Sequence, residues 1–199
     1  MRLTKAETIM FTGNMWGGKT YALHHRLKTD AFRGMKVLCL ENPYNTRGSE
    51  RDIENLENKN YTFRLINPAM REEILEDIRD YDIVAFDEVH LYFLDKKIYN
   101  DGAEALFKEC FKVARSTAKR VYISSLLLDS DSDNELFPIM KDIVLQCDTI
   151  KVFPSSKECS VCGSHSDVIF CDRQIGHDSN IGDHYDVVCY DCYNKKKES

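Results

Sequence analysis

The chain has 199 residues, 43% hydrophobic and 30% charged, with 33 acidic against 27 basic side chains and a formal net charge of −6. Such a composition suits a soluble globular protein of one moderate domain plus a small appendage. It excludes a membrane-spanning helix, because no apolar run is long enough, and it argues against double-stranded DNA as a partner, whose phosphates need a basic face. The start, Met1 to Glu7, runs into a strand and lacks the apolar core of a signal peptide, so a cytoplasmic location is expected. The eight cysteines are then expected to be metal ligands or buried thiols rather than disulfides.

The first strand is read at Thr8-Ile9-Met10-Phe11 and a helix at Thr20 to Leu27. Between them lies Gly13-Asn14-Met15-Trp16-Gly17-Gly18-Lys19-Thr20, which meets every fixed position of the phosphate-loop pattern G-x-x-x-x-G-K-S/T. A loop between strand and helix aims backbone N–H groups into one concavity at the helix N-terminus, where an anion is favoured. The glycines let that backbone close on a polyphosphate without Cβ clashes. Lys19 can reach the β- and γ-phosphates, and the Thr20 hydroxyl can ligate Mg²⁺. Trp16 has a plainer reading as a ring packed on a neighbouring helix.

Gly34 reads as a helix stop, and Met35 to Leu40 as the second strand. Glu41 to Asn60 is polar and turn-rich, with a short helical stretch near Asp52 to Leu56. Tyr61 to Ile66 alternates as a third strand. Asn67-Pro68 opens a helix running to about Arg79, with Asn at the cap and Pro in the first turn. Asp82 to Glu88 is a buried strand ending in two acids. Asp87 is placed to orient the Mg²⁺ shell. Glu88 is placed to polarise a water, as an ATPase would, or to take a proton from an alcohol, as a kinase would.

Ala103 to Thr117 carries a helical apolar stripe, Val121 to Leu128 reads as a strand, Leu136 to Leu145 as a helix, and Thr149 to Phe153 as a final strand. This alternation predicts an α/β fold of phosphate-loop NTPase type, a mostly parallel sheet flanked by helices, over residues 1–153. Residues 154–199 form the appendage. There Cys159-Ser160-Val161-Cys162 and Cys189-Tyr190-Asp191-Cys192 make two C-x-x-C pairs, each suited to fill two corners of a zinc tetrahedron. With all four corners protein-filled, such a metal would be structural. His165, His177, His184 and Cys171 are nearby competitors, and Cys171 reads better as a packed thiol beside Phe170. Cys39, Cys110 and Cys147 read as core residues.

These parts, in this order, resemble the zinc-containing (type II) thymidine kinase family over nearly the whole chain. The specific pieces are the loop G-N-M-W-G-G-K-T, the pair Asp87-Glu88, Asn45-Thr46-Arg47 after the second strand, and the two C-x-x-C pairs around Ile181-Gly182-Asp183-His184-Tyr185. The resemblance implies a nucleotide-binding domain with a zinc-held lasso that covers the nucleoside. It implies Glu88 as catalytic base, Lys19, Thr20 and Asp87 on phosphates and metal, and Arg47 supporting the phosphates. His90, Tyr92, Ser132, Phe137, Ile181, Gly182 and Tyr185 would surround the nucleoside. ATP and a pyrimidine deoxynucleoside, thymidine foremost, are the implied substrates, with a homotetramer and feedback by the triphosphate end product.

The chain also departs from the family pattern. Asn45 stands for the acid of D-x-R, the family's D-E-G-Q-F-F becomes Asp87-Glu88-Val89-His90-Leu91-Tyr92, and Ser132 replaces a pocket Phe. A kinase for another or modified nucleoside, or a nucleotide-binding protein without transfer, are the competing expectations.

Overall fold

A computed structural model describes residues 5–42, 45, 59–93, 102–129, 135–165, 168–173 and 185–197; for Phe93, 168–173, Tyr185 and 196–197 it describes the backbone alone. The possible helix near Asp52 to Leu56, and Arg47, Ser132, Ile181 and Gly182, lie outside the described residues.

Six strands make one sheet: β1 (Glu7–Gly13), β2 (Val37–Glu41), β3 (Tyr61–Leu65), β4 (Ile83–Asp87), β5 (Arg120–Ser124) and the strand at Thr149–Phe153. Two two-residue strands, β6 (Leu128–Asp129) and β7 (Glu135–Leu136), pair antiparallel outside it, so the strand at Thr149–Phe153 is β8. The sheet order is β3-β2-β4-β5-β1-β8, and every pairing in it is parallel. Such a sheet must be covered on both faces, which is why its strands read as nearly continuous apolar runs.

Side-chain alternation sends the two halves of each strand to different layers. Met10, Leu38, Leu40, Val84, Phe86, Val121 and Ile123 face a large core built with α2 (Arg71–Asp80), α3 (Ala103–Thr117) and α4 (Pro138–Val144). Phe11, Val37, Cys39, Ile83, Ala85 and Tyr122 face α1 (Lys19–Phe32). In the larger core Phe86 meets Phe107 edge-on at 5.2 Å. Burying one such ring contributes about 1.5–3 kcal/mol.

Local signals set the ends of these elements. Gly34, at φ 86°, turns the chain after α1. Asn67 accepts the Ala69 N–H at 3.0 Å, capping a short 3-10 turn over Pro68–Met70 that leads into α2. Several boundaries differ from the sequence reading, α1 for one running on to Phe32, and two of them have a plain local cause. The strand expected over Val121 to Leu128 ends at Ser124: its ladder to β1 closes with the Ser125 N–H on the Phe11 carbonyl (3.1 Å), and the next N–H, of Leu126, turns to His90 instead. The helix expected from Leu136 starts at Pro138, since Leu136 pairs with Leu128 in the small ladder.

After β8 the chain enters a cysteine knuckle, then a hairpin of β9 (Val168–Arg173) and β10 (Tyr185–Cys189), then α5 (Tyr190–Lys197). Among the described residues no helix is long and apolar enough to cross a membrane.

Candidate active site and metal knuckle

The loop after β1 is shaped by its own backbone and by β8. Gly13 takes φ 127°, and the Asn14 N–H donates to the Phe153 carbonyl at 3.2 Å. A Cβ on Gly13 would lie 2.0 Å from that oxygen, and one on Gly17 would lie 2.7 Å from it. The glycines are therefore needed both for φ and for the close approach of β8. Asn14 folds its amide oxygen onto the Met15 N–H at 2.7 Å. Gly18, at φ 79°, begins α1 with no side-chain cap hydrogen bond, and a helix N-terminus is where an anion is favoured. Lys19 is buried and donates to the Asn14 carbonyl at 2.7 Å.

Two strand spacings away, about 10 Å, β4 ends at Asp87. Strand alternation turns Asp87 toward α1, where it is 1% exposed. Its Oδ2 lies 3.6 Å from His24 Nε2, and among the described residues neither atom has a hydrogen-bond partner. A buried carboxylate oxygen left so is costly unless a cation arrives. His24 Nδ1 is 2.9 Å from the Tyr61 hydroxyl, whose ionisation burial and the nearby Cys39 thiol push far up.

Glu88 follows in the left-handed region, φ 51°, a conformation that costs about 1–2 kcal/mol outside glycine. Backbone strain of this kind gathers at functional sites. The turn lifts its carboxylate out of the strand toward His90, whose Nδ1 is 3.4 Å from Glu88 Oε2. His90 Nδ1 also accepts the Leu126 N–H at 3.2 Å, and its own N–H donates to Ser125 Oγ at 3.0 Å. A main-chain donor fixes Nδ1 as the acceptor, which leaves the ring proton on Nε2 and the imidazole neutral. Phe137 lies 5.6 Å from the His90 ring. Leu126 touches Met15 as well, so the segment after β5 bridges the phosphate loop and the Glu88 turn.

Of the other nucleoside-contact expectations, Tyr92 turns into the core, 4% exposed, and stacks on Phe107 at 5.2 Å. Its ring is taken up by that packing instead of joining Glu88, His90 and Phe137. For Tyr185 the described backbone opens β10.

Sequence reasoning missed Glu41. It ends β2 in register with Asp87, shares its α1-facing side, and is 2% exposed. Asn45 donates to its carboxylate. The available signal was the same one used for Asp87, an apolar strand run closing on an acid. His24 was missed too, although it sits one turn beyond Lys19 on the buried face of α1.

At the knuckle the sulfurs of Cys159, Cys162, Cys189 and Cys192 all lie within 4.8 Å of one another, with Cys162 and Cys189 at 3.7 Å. The edge of a zinc–thiolate tetrahedron, with Zn–S near 2.3 Å, is about 3.8 Å. Gly163 at φ 71° closes the first turn, and its N–H reaches the Cys159 carbonyl at 2.9 Å. Burial works to raise the Cys159 thiol, but N–H groups of Cys189, Cys162 and Val161 outweigh it and bring it down to about 6. Cys192 is pushed up to about 12, by Cys162 first and then Cys189. Four thiols this close cannot all shed protons without a cation between them. The donor set fits zinc. His165 instead points to Glu158 at 3.0 Å on the surface, and Cys39 and Cys110 lie in the core as expected, with Cys147 half-buried.

A glycine-rich cradle at the carboxyl edge of a parallel sheet, with a buried acid on the next strand but one, defines a nucleotide-binding protein of the phosphate-loop class. The thymidine kinase family model matches residues 6–193, and the chain belongs to that family, whose members phosphorylate nucleosides. It is 28% identical over 193 residues to the thymidine kinase of Mycoplasma mobile, covering 95% of this chain and 88% of that protein. Among solved structures, a replication initiator DnaA bound to AMPPCP and single-stranded DNA matches with a TM-score of 0.49 at 12% identity, over 76% of this chain and 41% of that one.

Proposed function

We propose that the protein transfers the γ-phosphoryl group of ATP to the 5′-hydroxyl of a pyrimidine deoxynucleoside, thymidine foremost, giving ADP and the 5′-monophosphate. The loop Gly13 to Thr20 and its helix hold the phosphates, with Lys19 and Arg47 on their negative charge. Glu88 accepts the proton of the acceptor hydroxyl as its oxygen attacks the γ-phosphorus and the bond to ADP breaks. Mg²⁺ carried in with ATP neutralises charge on the phosphates; Thr20 and the unpartnered Oδ2 of Asp87 would hold it. The observation that carries the reading is Glu88 itself, an acid kept in a strained turn one residue after a buried acid and tied through Leu126 to the phosphate loop.

His90 and Phe137 form a wall beside Glu88 against which a base can lie. Ser132, Ile181, Gly182 and Tyr185 are assigned to the remaining contacts, and Tyr92 to the wall behind them. His90 adds a polar group there, which favours a more polar or modified base as the second reading. Residues 1–153 would act as the kinase domain and 154–199 as the lasso. Zinc in the knuckle would hold shape and take no part in transfer, because four thiolates fill its coordination. A homotetramer in the cytoplasm completes the proposal.

The test is to incubate the protein with ATP–Mg²⁺ and a panel of nucleosides and assay for monophosphate. Thymidine monophosphate is the expected product. Another product selects the second reading, and nucleotide binding without any product refutes kinase action.

A further inference from the structure

The phosphate loop and the cysteine knuckle are in direct contact through one side chain. Trp16 sits in the left-handed region at φ 57°; among the described residues only Glu88 is the other non-glycine there. It packs on the knuckle cluster of Cys159, Val187, Val188 and Cys189, and Lys157 Nζ lies 3.5 Å from the ring centroid. Its carbonyl accepts from both Ser156 N–H (3.2 Å) and Ser156 Oγ (2.8 Å). Three residues before Ser156, β8 ends at Phe153, whose carbonyl holds the Asn14 N–H and leaves no room for a Cβ at Gly13 or Gly17. The strap 153–157 therefore grips the loop along its length and runs directly into the first cysteine.

We infer that Trp16 is a tether by which metal in the knuckle sets the shape of the phosphate loop, so that zinc loading raises the affinity for a nucleoside triphosphate. The physical argument is strain. A tryptophan leaves the left-handed region unless its surroundings prevent it. What prevents it here is the strap and the knuckle surface. Without a cation no metal–sulfur bond joins the two C-x-x-C turns to each other, so they can shift apart, the ring loses its seat, and the loop relaxes from the conformation in which its N–H groups converge. Trp16 acts here as a positioning residue. The inference rests on the proposed binding of ATP by the loop and of zinc by the cysteines.

Trp16 is the one tryptophan of the chain, so its emission reports this contact alone. The full-length protein is compared zinc-loaded, chelator-stripped and reloaded, with ATP–Mg²⁺ affinity by calorimetry and Trp16 emission recorded together. Stripping is expected to shift the emission to the red and weaken ATP about tenfold, both reversed by zinc. Trp16→Gly relieves the strain and removes the ring, so its ATP affinity is expected to ignore zinc. Equal ATP affinity in loaded and stripped protein overturns the tether. Should stripping unfold the chain by circular dichroism, Lys157→Ala in the zinc-loaded state decides: a red shift with weaker ATP supports the tether, and unchanged affinity overturns it. Failure of the loaded wild type to bind ATP would instead refute the nucleotide reading, and the tether with it.

Discussion

Lys19 gives its ammonium hydrogen to the Asn14 carbonyl, 2.7 Å away within its own loop. The lysine is thus held inside the cradle by backbone, at 7% exposure, ahead of any ligand. A triphosphate would displace that carbonyl rather than recruit a side chain from solvent, so little ordering is needed at binding. Lys19→Ala is expected to lower kcat/KM about 10²–10³-fold, the loss typical of one charge-stabilising donor. Steady-state kinetics against ATP check this; a loss under threefold would remove Lys19 from the phosphate site.

Glu88 separates chemistry from stability. Glu88→Gln keeps size and backbone and is expected to cut kcat by about 10²–10⁴-fold with ATP affinity unchanged. Glu88→Gly is expected to be equally inactive, yet to melt at the same or higher temperature, because φ 51° suits glycine. Calorimetric scans beside the activity assay decide it. A marked drop in melting temperature for the glycine variant would mean that the turn is not strained.

Glycines of the loop differ in kind. A Cβ at Gly13 meets the Phe153 carbonyl at 2.0 Å, whereas one at Gly18 meets nothing within 4 Å. Gly18→Ala therefore carries only the left-handed penalty, about 1–2 kcal/mol. Gly13→Ala adds a backbone clash that opens the β1–β8 ladder, and is expected to exceed 3 kcal/mol in denaturant melts (about the size reserved for such disruptions).

The buried thiols predict alkaline sensitivity. Burial pushes Cys110 up to about 12 and Cys147 to about 11. In the unfolded chain a thiol ionises near 8.5. The fold thus favours the protonated form, and its contribution is whole below about pH 8.5 and lost as pH climbs toward those folded values. Tyr61 and Tyr92, raised by burial, act in the same direction. Urea melts at pH 8 and 10.5 should show the loss, and Cys147→Ala should lessen it; parallel losses in the two proteins would contradict the assignment.

Metal content tests the knuckle. Purified protein is expected to hold about one zinc per chain, Cys162→Ser to hold less, and His165→Ala to hold as much as the wild type. Retention by the serine variant alongside loss in the histidine variant would reverse the ligand set.

Much of this was legible in sequence for identifiable reasons. Buried parallel strands announce themselves as apolar runs, and the loop and both C-x-x-C pairs are dense local patterns. Asn67-Pro68 marked its helix start because capping is a local event. What sequence could not give was long-range. Glu41 joins Asp87 only because β2 lies beside β4. Leu126 leaves the sheet because His90 claims its N–H, which no propensity records. Tyr92 was expected at the site from the family resemblance, but the 3-10 turn over Val89–Phe93 sets its ring on Phe107 in the core. Trp16 was read against a helix, while its partner is a knuckle about 140 residues away.

The strand order carries a consequence for biosynthesis. β1 is synthesised first, yet its only ladder partners among the described residues are β5 and β8, the last two strands of the six-stranded sheet to emerge. Until Phe153 has left the ribosome, the cradle lacks the carbonyl that closes it. A growing chain therefore has no finished cradle before that point. Maturation comes in one late, cooperative closure of distant segments, the slow kind of folding step.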